Sequence, residues 1–198
     1  MAKLGMKRVR RAPETTQTLI LDMTEKLMVE EGYAAVSSRR IAQELGLNAA
    51  TVHYYYPATD DIFIALHKRM SIRQLRELEK LLTGENPLQA FWAFQSGSTQ
   101  TALSVEFLAL ANHRKAIWGT LAEAANDARA AQAGLLASFT SGSITGTTII
   151  SPIALATILV AIGRLLTNEE RVGITEGHEE VRRLVTWAVE ELAIPGKR

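Results

Sequence analysis

Residues 37–56 read Ser37-Ser38-Arg39-Arg40-Ile41-Ala42-Gln43-Glu44-Leu45-Gly46-Leu47-Asn48-Ala49-Ala50-Thr51-Val52-His53-Tyr54-Tyr55-Tyr56. Ser37 or Ser38 suits the N-cap of a helix that carries Ile41, Ala42 and Leu45 inward. Gly46 can turn left-handed, and Asn48 caps a short helix running to about Tyr56, where Pro57 closes it. Ala42 is small where two helices cross closely, Gly46 permits the tight turn, and Val52 seals the second helix of the pair against Ile41, Leu45 and Leu47. This is helix-turn-helix logic. The same spacing leaves Ala49, Ala50, Thr51, His53 and Tyr54 facing outward, while Tyr56 is expected to pack inward.

Outward from that stretch the pattern stays helical. Ile20, Met23, Leu27 and Met28 follow helical spacing in a first helix that starts near Pro13 or Thr15 and stops by Gly32. Thr59 or Asp60 starts a long amphipathic helix with Ile62, Leu66, Met70, Leu75, Leu78 and Leu82 on its apolar side, ended by Thr83 and Gly84. Further helices are expected near 87–96, 99–112, 114–139, 152–167 and 176–193, separated by Gly, Ser, Thr or Pro clusters. The β-like run Ile144–Ile150 is rich in Thr and Gly and reads as a connector. The fold class is therefore all-α in two unequal parts, with about nine helices: an N-terminal three-helix helix-turn-helix domain and a C-terminal helical part. The expected divisions are a flexible basic arm over 1–12, the helix-turn-helix domain over 13–58, a connecting helix over 59–82, and the C-terminal helical part over 83–198.

Composition narrows the functional classes. The 198 residues are 47% hydrophobic and carry 22 basic against 21 acidic side chains, which excludes a wholly disordered chain and promises a packed core. Net charge alone implies no polyanionic partner, so the placement of the charge must decide. The absence of cysteine removes disulfides, thiolate nucleophiles and Cys-ligated zinc, and suits a cytoplasmic location. No signal peptide is read at the N-terminus, because Lys3, Lys7, Arg8, Arg10 and Arg11 are not followed by an apolar segment. The most lipid-like stretch, Ile153 to Ile162, is about half the roughly 20 apolar residues of a spanning helix, so no membrane partner is expected. The four histidines, His53, His67, His113 and His178, are far apart and match no metal-ligand spacing. Gly142-Ser143-Ile144-Thr145-Gly146 lacks the ending of a phosphate loop, and Gly-x-Ser-x-Gly is absent. No catalytic residue, metal or cofactor is assigned.

From Ala130 through Gly163 there is not one Asp, Glu, Lys or Arg. Such a run is buried as a core helix, forms a dimer interface, or walls a ligand pocket.

The outward face after Gly46 suits insertion of a helix N-terminus into a major groove, with hydroxyls and imidazole reaching phosphates. The N–H groups after Asn48 and the start of the preceding helix, with Ser38 and Arg39, can bind phosphate oxygens. Arg39, Arg40 and the arm from Lys7 to Arg11 would add a salt-dependent, sequence-independent attraction. Gly32-Tyr33, Ile41-Ala42, Gly46-Leu47, Thr51-Val52-His53-Tyr54-Tyr55-Tyr56-Pro57 and Ile62, taken together over about residues 14–65, resemble the DNA-binding domain of the tetracycline-repressor (TetR) family. The resemblance implies that Ser38, Arg39, Asn48, Ala49, Ala50, Thr51, His53, Tyr54, Tyr55 and Thr59 occupy positions that touch operator DNA. Two departures bear on affinity. His53 stands where the family usually has a tyrosine. Thr59, followed by Asp60 and Asp61, stands where it usually has a lysine, which weakens or removes one phosphate contact.

For the remainder, the resemblance implies that 83–198 is a helical regulatory domain for ligand binding and dimerisation, with a homodimer built through Ser151–Thr167 and Glu176–Leu192. Their stripes Ile153, Ala156, Leu159, Val160 and Gly163, and Val181, Leu184, Val185, Ala188 and Leu192, fit helix-on-helix packing. A two-fold dimer would read a pseudo-palindromic operator in double-stranded DNA. An effector pocket for a small hydrophobic or amphipathic molecule is expected among the helices of 87–140. It would be lined by Trp92, Phe94, Phe107, Leu110, Trp118 and Leu121, with Glu106, Asn112 and His113 as orienting polar groups. Aromatics at helical spacing also read as ordinary core. The expected function is a sequence-specific, ligand-responsive repressor in which the effector shifts the fourth helix. The alternative is a helical protein-binding adaptor that ignores duplex DNA.

Overall fold

A computed structural model describes residues 13–97, 99–140 and 150–193; the basic arm and most of the Ile144–Ile150 run lie outside them. Nine α-helices occur among the described residues: α1 (Pro13–Glu31), α2 (Ser38–Glu44), α3 (Ala49–Tyr55), α4 (Thr59–Leu81), α5 (Pro87–Gly97), α6 (Thr99–His113), α7 (Lys115–Thr140), α8 (Pro152–Glu170) and α9 (His178–Ala193). Among the described residues there is no strand. A single 3₁₀ turn at Tyr33–Ala35, unforeseen in the sequence, follows Gly32. Gly32 has φ 84, a conformation costly for a residue with a Cβ.

The chain divides into two compact units, Met1–Leu66 and His67–Arg198. The division falls inside α4.

In the smaller unit, α2 and α3 have seven residues each, too few to persist alone in water. Caps and burial hold them. Ser37 Oγ accepts from the Arg40 N–H at 3.1 Å, and Asn48 Oδ1 accepts from the Ala50 N–H at 2.9 Å; each such cap contributes about 1 kcal/mol. Between them Gly46 takes φ 63, and the Leu47 N–H returns to the Ala42 carbonyl at 2.8 Å. Ile41, Ala42 and Val52 are buried, as are Ile20, Leu27 and Met28 of α1. Burying one such large aliphatic side chain contributes about 1.5–3 kcal/mol. Tyr56 turns inward as its place in the aromatic run predicts.

In the larger unit, α8 packs on α5, α6 and α7. Its N-cap Ser151 accepts from the Ala154 N–H at 3.2 Å, with Pro152 in the first turn. The closest approach is at Gly163, where an added Cβ would lie 2.3 Å from the backbone oxygen of Gln95 in α5. Leu155, Ala156, Leu159, Val160, Gly163 and Leu166 form the buried face.

This corrects the stripe assigned to subunit packing. Ala156, Leu159, Val160 and Gly163 are spent inside the protomer, as is Val185 of α9. Ile153 and Leu184 of that stripe remain open to solvent, and the other large apolar residues exposed there are Ile158 and Leu165 on α8 and Trp187 on α9. By length and composition α8 could cross a bilayer, yet one face of it is core.

The α8–α9 connection is fastened by charge. His178 Nε2 meets Glu169 Oε2 at 2.8 Å and its Nδ1 meets Glu170 Oε1 at 3.4 Å, while Arg182 donates to Glu170. The bond to Glu169, then that to Glu170, raises the pKa of His178 against the opposing effect of burial. The Arg182 bond leads in holding Glu170 below its usual value.

Candidate nucleic-acid interface and ligand cavity

The outward surface of α3 is where the turn chemistry puts it. An open recess of about 330 Å³ is lined by Asn48, Ala50, Thr51, Tyr54 and Tyr55. Tyr54 is 80% exposed and stands edge-on to Tyr55, ring centroids 5.1 Å apart. An exposed tyrosine braced by a second ring presents its hydroxyl with little conformational freedom left to lose. Ala49 is half-buried and Ala50 exposed. Their small side chains let the helix N-terminus approach another surface closely, and the Ala50 N–H is already taken by the Asn48 cap.

His53 is exposed, and its Nδ1 lies 3.2 Å from the Pro57 carbonyl. A carbonyl can only accept, so that bond requires Nδ1 to carry the hydrogen. Nε2 is then a lone pair on the neutral ring and a donor only on the charged one. Contact with a phosphate through Nε2 therefore requires protonation.

The remaining positions differ from one another. Arg39 is exposed. Arg40 is tied by Nε to Glu44 at 2.9 Å and by Nη2 to Glu31 at 3.0 Å, so the free positive charge expected from both arginines comes from Arg39. Ser38 is buried, and its Oγ has no hydrogen-bond partner among the described residues. Only its backbone N–H, in the open first turn of α2, is available to an anion. Thr59 opens α4 and is half-buried. Asp61 Oδ2 accepts from the Ala58 N–H at 2.8 Å, so one of the two acidic residues that follow Thr59 caps the helix.

The larger unit contains a cavity of about 190 Å³ bounded by α4, α6, α7 and α8. Phe107, Trp118 and Leu121 line it. The other residues proposed for a pocket lie elsewhere. Trp92 belongs to the core cluster around Leu88, Phe91 and Leu159, and Phe94 packs against that cluster. Leu110 is fully buried. Glu106 pairs with Arg171 at 3.5 Å, and Asn112 and His113 are exposed at the end of α6.

Sequence reading missed the polar part of the lining: His67, Ser71, Gln74, Ser104, Arg129, Gln132 and Arg164. His67 stands edge-on to Phe107, centroids 4.9 Å apart. Burial, and then the Arg164 charge, hold its pKa below the usual value. Arg129 and Arg164 flank the charge-free run, and that was the available signal.

Residues 20–66 match the family of bacterial regulatory proteins described as the tetR family. No curated protein matches the chain. Several solved structures share its fold. A TetR transcription regulator from Haloarcula marismortui ATCC 43049 has a TM-score of 0.65 at 20% identity, over 91% of this chain and 97% of that one. NemR of E. coli in its reduced form gives 0.64 at 16% identity, over 86% and 95%. A transcriptional regulator from Saccharomonospora viridis, solved in complex with choline, gives 0.62 at 22% identity, over 81% and 87%. Residues 20–66 thus carry the N-terminal helix-turn-helix domain of the tetR family of bacterial regulatory proteins, in a chain that has the all-α fold of solved regulators of that kind.

Proposed function

We propose that the protein is a cytoplasmic, ligand-responsive transcriptional repressor that binds a pseudo-palindromic operator as a homodimer. The observation that carries this reading is the face of α3. Thr51, His53, Tyr54 and Tyr55, with small Ala49 and Ala50 at the helix start, are held by a paired-cap turn that gives a seven-residue helix a fixed orientation. Arg39 supplies a cation at the neighbouring helix start, and the arm over 1–12 supplies more. Phosphate contacts would set register and α3 would read base edges in the major groove.

Self-association is supported by the solvent-facing apolar residues of α8 and α9, Ile158, Leu165, Leu184 and Trp187. Aromatic and aliphatic side chains left in water along two helices are the usual material of an interface core. Effector control is supported by the cavity between α4, α6, α7 and α8. An effector that releases DNA must bind the DNA-free form more tightly, and the coupling is reciprocal. The S. viridis relative holds choline, a cation. The cavity here has arginines and, among the described residues, no carboxylate in its lining, so a ligand of different charge is expected.

The test is binding to genomic fragments selected by the purified protein. Protection of a two-fold site, with affinity falling steeply as salt rises, and a dimer in analytical ultracentrifugation are expected. A protein that ignores duplex DNA at low salt would be the helical adaptor instead. Thr51→Ala or Tyr54→Ala is expected to lose specific binding with the fold intact.

A further inference from the structure

The cavity in the His67–Arg198 unit carries a charge signature that ligand responsiveness alone does not require. Among the described residues its lining contains Arg129 and Arg164 and no aspartate or glutamate. Arg129 spends one N–H on Thr157 Oγ1 at 3.1 Å. Arg164 makes no hydrogen bond or ion pair among the described residues. A guanidinium has five N–H donors in a planar fork, so most of the donor capacity of the pair is unspent. Two like charges that feel each other in a partly dry site, with no acid between them, leave positive potential uncompensated. Burial, and then the Arg129 charge, push Arg164 below the ordinary guanidinium value. It stays protonated, because an arginine does not deprotonate in a protein.

The rest of the wall mixes uncharged polar residues, Ser71, Gln74, Ser104 and Gln132, and His67 with an apolar side. Phe107, Leu121 and Val160 belong to that apolar side, and Leu108 and Trp118 reach it from positions open to solvent. His67, held neutral beside Arg164, adds no negative charge.

We propose that this cavity binds an amphipathic organic anion, with a carboxylate taken up by Arg129 and Arg164 and a hydrocarbon body along Phe107, Leu121 and Val160 toward Trp118. The proposal rests on the reading of this cavity as the effector site and names the class of effector. Arg–carboxylate pairs are charge-assisted and often bidentate, which gives the head group its orientation. A volume of about 190 Å³ compares with the cavity of about 150 Å³ that takes up benzene. It therefore suits a medium-chain acyl or a monocyclic aryl acid.

The experiment uses the full chain and three probes of one chain length: octanoate, octanol and octyltrimethylammonium, measured by calorimetry and by thermal shift without DNA. Octanoate is expected to bind at least about tenfold more tightly than octanol and to raise the melting temperature, with no binding of the ammonium. Arg164→Met is expected to bring octanoate down to the level of octanol without lowering the melting temperature of the unliganded protein. Arg164→Lys is expected to restore part of the preference.

Equal or tighter binding of octanol or the ammonium overturns the proposal, as does the absence of binding by all three. Should Arg164→Met fail to fold, the three-probe comparison on the unaltered protein still decides. A parallel measurement with a selected DNA fragment separates the two readings. Octanoate that binds with the expected preference but leaves DNA bound refutes effector control and leaves the anion site standing. DNA release by octanol and not by octanoate keeps effector control and removes the anion site.

Discussion

The α2–α3 pair and α8 each depend on a small residue at a helix crossing, but they depend on it differently. In α2, Ala42 fits beside a turn whose every participant lies within a dozen positions: Ser37, Gly46, Leu47 and Asn48. In α8, Gly163 meets the backbone of Gln95, which lies far away along the chain in α5. The first arrangement is specified by local hydrogen bonds and presents a surface outward. The second is specified by packing between distant segments and turns its surface inward. Local specification leaves α3 free to be judged by what it exposes, whereas the outward surface of α8 can be known only after its inward one has been filled.

The largest effect that would test this contrast is Gly163→Ala. A Cβ 2.3 Å from a backbone oxygen cannot be relieved by rotating a side chain, so α8 and α5 must separate. A loss of about 1–3 kcal/mol or more is expected, read as a lower midpoint in urea unfolding. A neutral result would mean that the crossing is looser than described. The next largest is Asn48→Ala, which removes the cap of α3 and is expected to cost about 1 kcal/mol. Because α3 also carries the DNA-facing residues, operator affinity should fall with it, and Asn48→Asp should rescue stability.

A third comparison separates two adjacent arginines. Arg39→Ala is expected to weaken binding to all duplex sequences alike and to reduce the magnitude of the salt slope by about 0.9. Arg40→Ala should leave the slope unchanged and cost about 0.2–1 kcal/mol of stability through its partly exposed pairs with Glu31 and Glu44. Equal salt slopes for the two variants would contradict the assignment of the free cation.

The smallest effect is a pH dependence in the α8–α9 fastening. The folded pKa of His178 is raised, so its contribution is complete below the unfolded value. It is lost as pH rises through the folded one. Glu170 behaves oppositely: its lowered pKa gives a contribution lost as pH falls through the folded value. The melting-temperature gap between the unaltered protein and His178→Asn should therefore narrow as pH climbs from near neutral into the alkaline range. A gap that widened would reverse the sign assigned here.

Legibility in the sequence follows the same divide. Caps, the turn glycine and the inward Val52 and Tyr56 could all be read from neighbouring letters, because the physics that fixes them acts over one or two turns of helix. The cavity could not be read that way. Trp92, Phe94 and Leu110 have the spacing of a lining and serve as core or pack against it, since helical periodicity gives a face but not the neighbour that face meets. Arg129 and Arg164 lie at opposite ends of a run with no charged residue and come within electrostatic range of each other only once α7 and α8 have packed. Ser38 shows the limit of position alone: it stands at a helix start, as a phosphate ligand would, with its hydroxyl buried.

The three tryptophans occupy three kinds of surroundings: Trp92 in the core, Trp118 at the cavity while 61% exposed, and Trp187 on α9 while 58% exposed. Intrinsic fluorescence can therefore be split by single Trp→Phe replacements into a reporter of unfolding, a reporter of cavity occupancy and a reporter of self-association. None of the three lies in Met1–Leu66, whose natural fluorophores are tyrosines and the weakly emitting Phe63. Emission excited beyond the tyrosine band should consequently be silent to events confined to that unit, and any change it shows on addition of DNA would be a direct optical measure of communication between the two halves of the chain.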